Sequence, residues 1–576
     1  MILKINNYIK KIFFVTKINF REVSSLVVLL ILLTITEVLS IALIYPFIDV
    51  VINNKGYIFD YLSIIGFSEE SDEFSSILKL GLIIIFIFFG KHFLSIFMRW
   101  RIAKFIWYRL SFLQIELMRK YQFLDYEIFS RKGKAELVNN LKELTRSVLQ
   151  SLEGWLKLIS EIVIFVFILI YLLNVNFLAV TTLIIVFSFV FVAYQFIFSK
   201  LIKRLGEENL KGEKSFFSAI NETIAGFKEF RVYRKEKFFL NKAKESTEKI
   251  AKSNILNEVL SLIPRFLLEF LAICLLISLV LILLKADMNP AELLPFIGVF
   301  SLAALRIIPG INLIIVSLFR INYGAYALDI IYDDLISENA HTLKEKQFLK
   351  KIEFKSLKLE NLHFKYKKNS TSIFEDLNFE LKAYDCVGIV GDSGIGKTTL
   401  VDLMLGLLSP SKGTILINEK KLLNSELLYN LTSYLPQNPV ILDGSIEKNI
   451  ALENDEKLLN REKIKEALQF AELDDFVNKL PENSKTLIGE NGINLSGGQN
   501  QRLVLARNYY FDREIIILDE ATSALDIKTQ ENISQNIKIL KNNKTLIIIT
   551  HRVETLKNCN KVFKIYKKKL ILDDKY

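Results

Sequence analysis

The sequence predicts two folds in one chain: an all-α membrane domain over residues 1–336 and an α/β domain over residues 352–576, joined by a polar linker at 337–351. Three observations support this fold class. The first part contains about six apolar runs, each long enough to cross a bilayer as a helix. The second part alternates short strands with helices. Within it, residues 391–399 form a glycine-rich loop between a strand and a helix.

The composition indicates a membrane protein. Of 576 residues, 51% are hydrophobic and 44 are Phe, and the mean hydropathy is +0.30. This is too apolar for an ordinary soluble enzyme, and the excess lies in the first part of the chain. The formal net charge of +11 can indicate nucleic-acid binding, but it fits basic loops beside anionic lipid equally well. We predict membrane lipid as a partner and no nucleic acid.

Cysteine usage and the N-terminus add little further chemistry. Cys274, Cys386 and Cys559 lie far apart in the sequence and form no C-x-x-C pair. This spacing suggests neither a zinc site nor a disulfide framework. Residues 1–21 are basic and mixed, without a small-residue cleavage site before the first apolar run, so we expect no cleavable signal peptide.

The predicted spans are residues 24–48, 78–97, 158–173, 177–198, 259–284 and 293–318. The short sequence Asn-Val-Asn separates the third run from the fourth, which predicts a tight hairpin. The stretches 99–157 and 199–256 are basic, like the N-terminus, whereas 49–77 is acidic. The positive-inside rule therefore predicts a multi-pass protein of the cytoplasmic (inner) membrane, with both termini and the α/β domain in the cytoplasm.

The two basic stretches keep helical periodicity, so we expect membrane helices that continue far into the cytoplasm. Each stretch contains a break, around 125–134 and around 225–227. Short helices at these breaks would transmit motion between the domains, and plain solvated loops are the alternative. In the acidic stretch, residues 57–65 predict either a short helix at the membrane interface or an ordered apolar loop.

The glycine-rich loop is the strongest local signal for function. Its glycines let several backbone N–H groups point into one concavity, and the following helix N-terminus adds positive charge, so the loop favours phosphate. Lys397 would contact the β- and γ-phosphates, and Thr398 would offer its hydroxyl to Mg²⁺. The predicted phosphate-binding residues are Gly391, Asp392, Ser393, Gly394, Gly396, Lys397, Thr398 and Thr399.

A second nucleotide signal is the apolar strand 515–518, which ends in Asp519 and Glu520. Such a strand delivers both carboxylates to the carboxyl edge of the sheet, where α/β folds bind ligands. Asp519 would help to hold Mg²⁺, and Glu520 would polarise the attacking water.

Four more residues fit nucleotide hydrolysis. Gln437 could contact Mg²⁺ or water and sense the γ-phosphate. His551 follows another predicted strand, which places it at the same sheet edge, and Asp526 follows the acidic strand closely. Tyr366, upstream of the glycine-rich loop, would stack on adenine, and an ordinary core role is the alternative.

The most specific stretch is the sequence Leu-Ser-Gly-Gly-Gln, whose serine and glycines open a helix and form a second anion-binding site. It comprises Leu495, Ser496, Gly497, Gly498 and Gln499. With it, the second half of the chain resembles the nucleotide-binding domain of ABC transporters over roughly its entire length. The resemblance implies a Walker A motif at 391–399, an A-loop at Tyr366, a Q-loop at Gln437, a signature at 496–499, Walker B at 515–519, the catalytic Glu520, a D-loop at 523–526 and the switch histidine His551. No catalytic position departs from the family pattern, and Asn500, where a basic residue is common, is a minor difference.

In that family, the signature of one subunit closes over ATP held by the Walker A loop of the other. This chain has one of each, and six spans fused to one ATPase resemble a half-transporter of the exporter type. The resemblance therefore implies a homodimer that binds ATP with Mg²⁺ and couples its hydrolysis to alternating access.

Charges within the predicted spans point to the substrate. A Lys or Arg at the centre of a membrane helix costs about 2.5–3.5 kcal/mol on insertion scales, so it usually faces a polar cavity or a partner. Lys91, Arg265 and Arg306 would form a cationic lining for an anionic substrate. Snorkelling of the side chains, or pairing such as Arg265 with Glu269, is the alternative.

The membrane half resembles flippases of lipid-linked oligosaccharides (PglK type). The matching residues are Pro264, Arg265 and Glu269 in the fifth span, Leu305, Arg306 and Pro309 in the sixth, and Lys91. The resemblance implies a polyprenyl-pyrophosphate glycan as substrate, with its pyrophosphate held by the cavity cations. An exporter of other lipids, drugs or peptides remains an alternative. A nucleotide-gated channel or regulator is a third, although the intact Glu520 and His551 argue against it.

Overall fold

The computed structural model describes residues 2–43, 47, 73–175, 177–285, 290–336, 353–366, 371–422, 426–489, 493–520, 535–550 and 552–573. The chain divides into two compact units: Met1–Leu124 with Lys132–His341, and Asp125–Arg131 with Thr342–Tyr576. The predicted linker 337–351 and the apolar stretch 57–65 lie outside the described residues. The domain boundary drawn at the linker therefore remains a prediction.

The first part of the chain is helical over nearly all of its described residues. Its helices are α1 Ile2–Thr16, α2 Phe20–Ala42, α3 Glu73–Gln122, α4 Tyr126–Lys132, α5 Lys134–Asn139, α6 Thr145–Val175, α7 Phe177–Ala225, α8 Phe227–Val232, α9 Glu236–Lys285 and α10 Pro290–Ile336. A π-helical turn, Asn140–Leu144, joins α5 to α6. Helix α4 belongs almost entirely to the second unit, which includes Asp125–Arg131.

The long helices exceed what a bilayer requires. Helices α3 and α9 each contain 50 residues. At about 1.5 Å per residue they measure roughly 75 Å, whereas the hydrocarbon core of a bilayer is about 30 Å thick. Helices of this length agree with the prediction that the membrane helices continue into the cytoplasm. Short helices α4 and α8 stand at the two predicted breaks.

Three described segments are long and apolar enough to cross a membrane: Ile77–Gln122, Glu236–Ser278 and Ile307–Ile336. Ser24–Ser40 is a shorter apolar helical segment. The other predicted spans, 158–173 and 177–198, lie in α6 and α7. The total of six spans remains a prediction.

Glycines let the backbone of α10 approach its neighbours closely. A Cβ atom on Gly206 of α7 would lie 2.6 Å from the carbonyl oxygen of Tyr323. A Cβ atom on Gly324 of α10 would lie 2.8 Å from the carbonyl oxygen of Ser147 in α6. Both crossings lie outside the predicted spans, and the missing side chains let the helix backbones come into van der Waals contact. These three helices therefore pack backbone to backbone.

A buried ion pair joins α2 to α3 within the apolar region. Lys91 Nζ lies 3.1 Å from Glu37 Oε2, and the two side chains are only 11% and 8% exposed. Lys91 also donates a hydrogen bond of 3.3 Å to Ser40 Oγ. Since an isolated charge in this setting is costly, each residue depends on the other for its place in the helix pair.

Asp334, on α10, contacts three side chains near the ends of other helical segments, outside the predicted spans. Asp334 accepts hydrogen bonds from Tyr121 Oη at 2.6 Å and from Asn140 Nδ2 at 3.2 Å, and it pairs with Lys132. Burial, with the adjacent charge of Asp334, raises the pKa of the Tyr121 hydroxyl far above its ordinary value, so the tyrosine stays a donor. These contacts join Tyr121 and Lys132 to α10 within the first unit.

The strands of the second unit are β1 Ser356–Phe364, β2 Phe374–Lys382, β3 Cys386–Val390, β4 Lys412–Ile417, β5 Lys420–Lys421, β6 Thr432–Leu435, β7 Gly444–Ser445, β8 Leu487–Ile488, β9 Ile515–Asp519, β10 Thr545–Ile549, β11 Lys561–Tyr566 and β12 Lys569–Leu572. Its helices include α11 Lys397–Met404, α12 Glu426–Leu431, α13 Ile446–Ala451, α14 Arg461–Phe470, α15 Asp474–Val477, α16 Gly497–Phe511 and α17 Val553–Leu556. Strands and helices alternate, as the sequence predicts for an α/β fold.

The main sheet has the order β12-β11-β3-β10-β9-β6. Its pairs from β11 to β6 are parallel, and only the edge pair β11–β12 is antiparallel. Strands β3, β9 and β10 are buried along nearly their whole length, which is typical of parallel strands covered on both faces. A separate antiparallel sheet has the order β2-β1-β4-β5. The parallel order brings the carboxyl ends of β3, β10, β9 and β6 to one edge.

We predict that either Glu37→Gln or Lys91→Met alone lowers the thermal unfolding midpoint of the full-length protein in detergent. Removing one partner of a buried pair leaves the other charge buried without a partner, which lowers the free energy of unfolding by about 3–5 kcal/mol. The double variant should recover most of the loss, because no uncompensated charge remains.

The matched control is the exposed pair of Lys244 and Glu248, whose side chains are 71% and 57% exposed. The same substitutions there should leave the midpoint nearly unchanged, because exposed pairs contribute about 0–1 kcal/mol. A double variant at 37 and 91 that is no more stable than the singles would contradict the interpretation.

Candidate nucleotide-binding site

The glycine-rich loop runs from the carboxyl end of β3 into α11. Gly394 and Gly396 have φ values of 79° and 112°, a region that favours glycine. A Cβ atom on Gly396 would also lie 2.8 Å from the side chain of Ile373. These two positions therefore require glycine for the loop to turn into the helix.

Lys397 contacts the backbone of the glycine-rich loop. Its Nζ donates hydrogen bonds to the carbonyl oxygens of Gly391 at 2.7 Å and of Asp392 at 3.3 Å. The ammonium group thus lies over the concavity whose N–H groups would face a phosphate. Thr398, next along α11, has an exposed side chain.

Asp402, which is buried, and Asp519, which is partly buried, lie close to each other. Asp519, at the end of β9, accepts a hydrogen bond of 3.2 Å from Tyr434 Oη. Burial, together with the charge of Glu520, raises the pKa of Asp519, and the tyrosine hydrogen bond opposes part of the rise. Burial and then the charge of Asp519 raise the pKa of Asp402 to about 6. This concentration of acidic oxygen atoms suits a hard divalent cation.

Glu520 is held in a special backbone conformation. Its φ is 50°, in the left-handed region, and its N–H donates a hydrogen bond of 2.9 Å to the carbonyl oxygen of Ile549. Its Oε2 accepts a hydrogen bond of 2.7 Å from Gln437 Nε2. The predicted Q-loop residue and the predicted catalytic base therefore touch, although they are far apart in the sequence.

Tyr366 lies against the start of α11. Its hydroxyl is 3.1 Å from Thr399 Oγ1, and its ring meets the ring of Phe364 edge-on with centroids 5.1 Å apart. Tyr366 is 39% exposed. This placement is compatible with the predicted stacking on adenine.

The signature stretch begins α16. Ser496 Oγ accepts a hydrogen bond of 3.2 Å from the N–H of Gln499, and Gln499 Oε1 accepts one of 2.8 Å from the N–H of Ser496. This is a capping box, which stabilises the helix start that the sequence predicts as an anion site. Further along α16, Gln501 Nε2 lies 3.5 Å from the carbonyl oxygen of Glu520.

Two predicted site residues lie outside the described part of the protein, and two residues near Asp519 have no role predicted from the sequence. His551 and Asp526 lie outside the described residues. The sequence assigns no role to Tyr434 or Asp402, although Tyr434 donates a hydrogen bond to Asp519 and the charge of Asp519 raises the pKa of Asp402. Tyr434 lies three residues before Gln437, but its contact depends on the β6–β9 pairing, which the sequence does not reveal.

The three predicted cavity cations have different surroundings. Lys91 is buried in its pair with Glu37, and Arg265 Nε donates a hydrogen bond of 2.8 Å to Glu269 Oε1. The pairing alternative therefore describes both residues in this conformation. Arg265 nevertheless remains 55% exposed. The side chain of Arg306 lies outside the described part of the protein, and the cavity role of all three residues stays a prediction.

Comparisons with known proteins cover both parts of the chain. The family model for the ABC transporter transmembrane region matches residues 24–303, and the ABC transporter model matches residues 374–523. The ATP-dependent lipid A-core flippase of Cupriavidus pinatubonensis is 28% identical over 442 residues, which are 75% of this chain and 74% of that protein. The leukotoxin translocation ATP-binding protein LktB of Mannheimia glucosida is 36% identical over 218 residues, 38% of this chain and 30% of that protein.

Among solved structures, a bacterial Atm1-family ABC exporter with ATP bound has a TM-score of 0.77 with this protein. The likeness covers 96% of this chain and 94% of the other, at 19% sequence identity, and so it shows the fold. The chain belongs to the ABC transporter family. It is an exporter-type half-transporter in the membrane that binds ATP and couples its hydrolysis to transport. The predicted fold class and family are thereby confirmed.

We predict that Glu520→Gln abolishes turnover while ATP binding persists. An amide cannot polarise the attacking water, and loss of a general base costs about 10²–10⁴ in rate. Phosphate release and nucleotide binding by the full-length protein measure the two effects. Glu514→Gln, just before the same strand, is the matched control and should hydrolyse ATP normally. Undiminished hydrolysis by the variant at 520 would remove that residue from its predicted role.

We also predict a pH-dependent gain in stability from Asp402→Asn. The raised pKa means that the wild type holds a proton more tightly when folded, so this stability is present at low pH and is lost as the pH rises through about 6. Without Mg²⁺ and nucleotide, Asn should raise the thermal midpoint at pH 8, and the gain should shrink towards pH 5.

The exposed carboxylate of Asp475 provides the control for this measurement. Asp475→Asn should leave the midpoint unchanged at both pH values. A gain from Asp402→Asn of equal size at pH 5 and pH 8 would contradict the electrostatic explanation.

Proposed function

We propose that this protein is a homodimeric flippase of the cytoplasmic membrane that moves an anionic lipid-linked oligosaccharide, of the polyprenyl-pyrophosphate class, by alternating access. The observation that carries the proposal is Arg265, an exposed cation beside Pro264 within the apolar part of α9. An exposed guanidinium in such a segment is expensive against lipid, and pairs well with a phosphate group.

The nucleotide chemistry rests on residues at one sheet edge. Thr398, Gln437 and Asp519 would hold Mg²⁺, because their oxygen atoms suit that ion and the acidic pair at 402 and 519 favours a cation nearby. The ion would neutralise charge on the transferred phosphate group. Lys397 would bind the phosphates, and Tyr366 would stack on the base. Glu520 would orient the attacking water, and Gln437 would hold the Glu520 carboxylate through the hydrogen bond between them.

The dimer follows from the count of motifs and from an exposed surface. One chain carries one phosphate loop and one signature, so two copies are needed to complete two sites. In a single chain, α8 and its surroundings expose several large apolar side chains, of which Phe227, Val232 and Tyr233 are 61%, 77% and 72% exposed. Surfaces of this kind mark sites of association. We propose that the second copy covers this surface, with both termini in the cytoplasm.

The substrate class is supported by the share of this chain over which each relative is similar. The similarity to a lipid A-core flippase continues through the membrane part, over 75% of this chain. The similarity to a leukotoxin translocation protein spans only 38% of it. A glycolipid with an anionic head therefore has more support than a polypeptide.

Transport by the full-length protein in vesicles tests the proposal. ATP should drive loss of a fluorescent polyprenyl-pyrophosphate glycan from the outer surface of inside-out-oriented proteoliposomes, and the same lipid should stimulate ATPase activity. In Arg265→Ala with Arg306→Ala, transport should fall about tenfold or more while basal ATPase persists, since each charged hydrogen bond contributes about 1.5–3 kcal/mol.

The matched control is Arg204→Ala, because Arg204 forms the same i,i+4 pair with Glu208 beyond the apolar region of α7. It should transport normally. Normal transport by the double variant would refute the cationic cavity. Transport of lipid A-core, a drug or a peptide in preference to the glycan would identify another exporter activity, and ATP-dependent leakage of ions without lipid movement would indicate a channel.

A further inference from the structure

A cavity of about 380 Å³ opens between the start of α2 and the middle of α3. It lies in a stretch of α3 that follows the predicted span 78–97 directly. Three cations line it: Arg101, Lys104 and Arg109. Because α3 is helical here, residues three, four and seven apart lie on one face, and this face carries both the cations and the aromatic lining.

The cavity carries an excess of positive charge. Arg109 pairs with Glu22, the acidic residue of the lining, and it also donates a hydrogen bond of 3.4 Å to the carbonyl oxygen of Thr16. Among the residues that the structure describes, Arg101 and Lys104 enter no ion pair, and Lys104 Nζ lies 5.1 Å from the ring centroid of Trp100. Two positive charges therefore face the cavity without a carboxylate to balance them.

The walls of the cavity are amphipathic. Phe105, Tyr108 and Phe112 contribute aromatic surface, and Ser25 contributes a hydroxyl. Tyr108 is 70% exposed. Aromatic and basic residues directly after an apolar span are typical of the depth at which lipid headgroups lie.

An apolar surface continues from the mouth of the cavity along α2. Val28 and Ile31, one and two turns beyond Ser25, are 57% and 48% exposed. A free anion would use the cations but not this surface, whereas an acyl chain would cover it. The combination fits a ligand with an anionic head and an apolar tail.

We infer that this cavity binds the phosphate headgroup of an anionic membrane lipid in the cytoplasmic leaflet. The phosphate interacts with Arg101 and Lys104, the aromatic residues enclose the upper part of the lipid, and its acyl chains lie along α2. The bound lipid joins the start of α2 to α3, beside the bond that Arg109 already makes to Glu22. The inference rests on the proposed topology, which places this part of α3 at the cytoplasmic face, and it does not depend on which lipid is transported.

The test measures thermal unfolding of the full-length protein in uncharged detergent with added probes. Dioctanoyl phosphatidylglycerol should raise the midpoint by about 2 °C or more at saturation, because a ligand that binds only the folded state stabilises it by mass action. Dioctanoyl phosphatidylcholine, glycerol-3-phosphate and inorganic phosphate at equal concentrations should each produce a smaller rise.

Arg101→Gln with Lys104→Gln should remove the difference between phosphatidylglycerol and phosphatidylcholine. The control Arg99→Gln with Lys203→Gln changes the net charge equally at exposed positions outside the cavity, and it should keep the difference. An unchanged difference in the variant at 101 and 104 would overturn the site. An equal rise with inorganic phosphate would overturn the lipid assignment in favour of a plain anion site.

A second pair of variants covers the case in which the double variant does not fold. Ser25→Glu introduces a carboxylate into the cavity, whereas Ser24→Glu introduces one a residue away, outside its lining. Both serines make the same local bond, Oγ to the carbonyl oxygen three residues earlier. Only Ser25→Glu should abolish the effect of phosphatidylglycerol, and equal behaviour of the two would refute the site. Because the readout is binding, its failure leaves glycan transport, measured separately, unaffected.

Discussion

The parallel pairing of β3, β10 and β9 is the constraint on which the nucleotide site depends. Ile549 pairs with both Ile389 and Asp519, so the three strands end at the same level of the sheet. The glycine-rich loop leaves from one of these ends, and Glu520 follows another. Since each strand is buried on both faces, a register shift would expose part of its apolar run. The positions of the glycine-rich loop and of Glu520 are therefore fixed by the same apolar packing that stabilises the sheet.

The helical part is governed by a different constraint. In lipid, every backbone polar group must be satisfied internally, which requires helices, and apolar surface no longer drives them together. The buried pair of Lys91 with Glu37 supplies a specific contact within the predicted spans, and Gly206 and Gly324 allow close packing where α7 and α10 continue beyond them. Packed interfaces of this kind switch between discrete arrangements and do not deform continuously.

Charge has at least three separate uses in the helical part. The ion pair of Lys91 joins two helices, Arg265 stays exposed in an apolar segment beside its partner Glu269, and Arg101 with Lys104 faces a cavity beyond the span. A basic residue near a predicted span therefore does not by itself indicate one particular role. The burial of the side chain and the sign of its neighbours separate a structural pair from a ligand contact.

By itself, the sequence determined the class of fold and the family, and it predicted the residues of the candidate nucleotide-binding site. Local patterns carry this information: an apolar run of span length, and glycines placed where the backbone must take positive φ, as at Gly394 and Gly396. Tertiary structure alone decided the strand order, the hydrogen bond from Tyr434 to Asp519, the contact of Gln437 with Glu520, and the pairing of Lys91 with Glu37. Each of these joins residues on separate elements, and such a contact depends on which elements pack together, a choice made by the total burial of the chain and not by any short stretch of it.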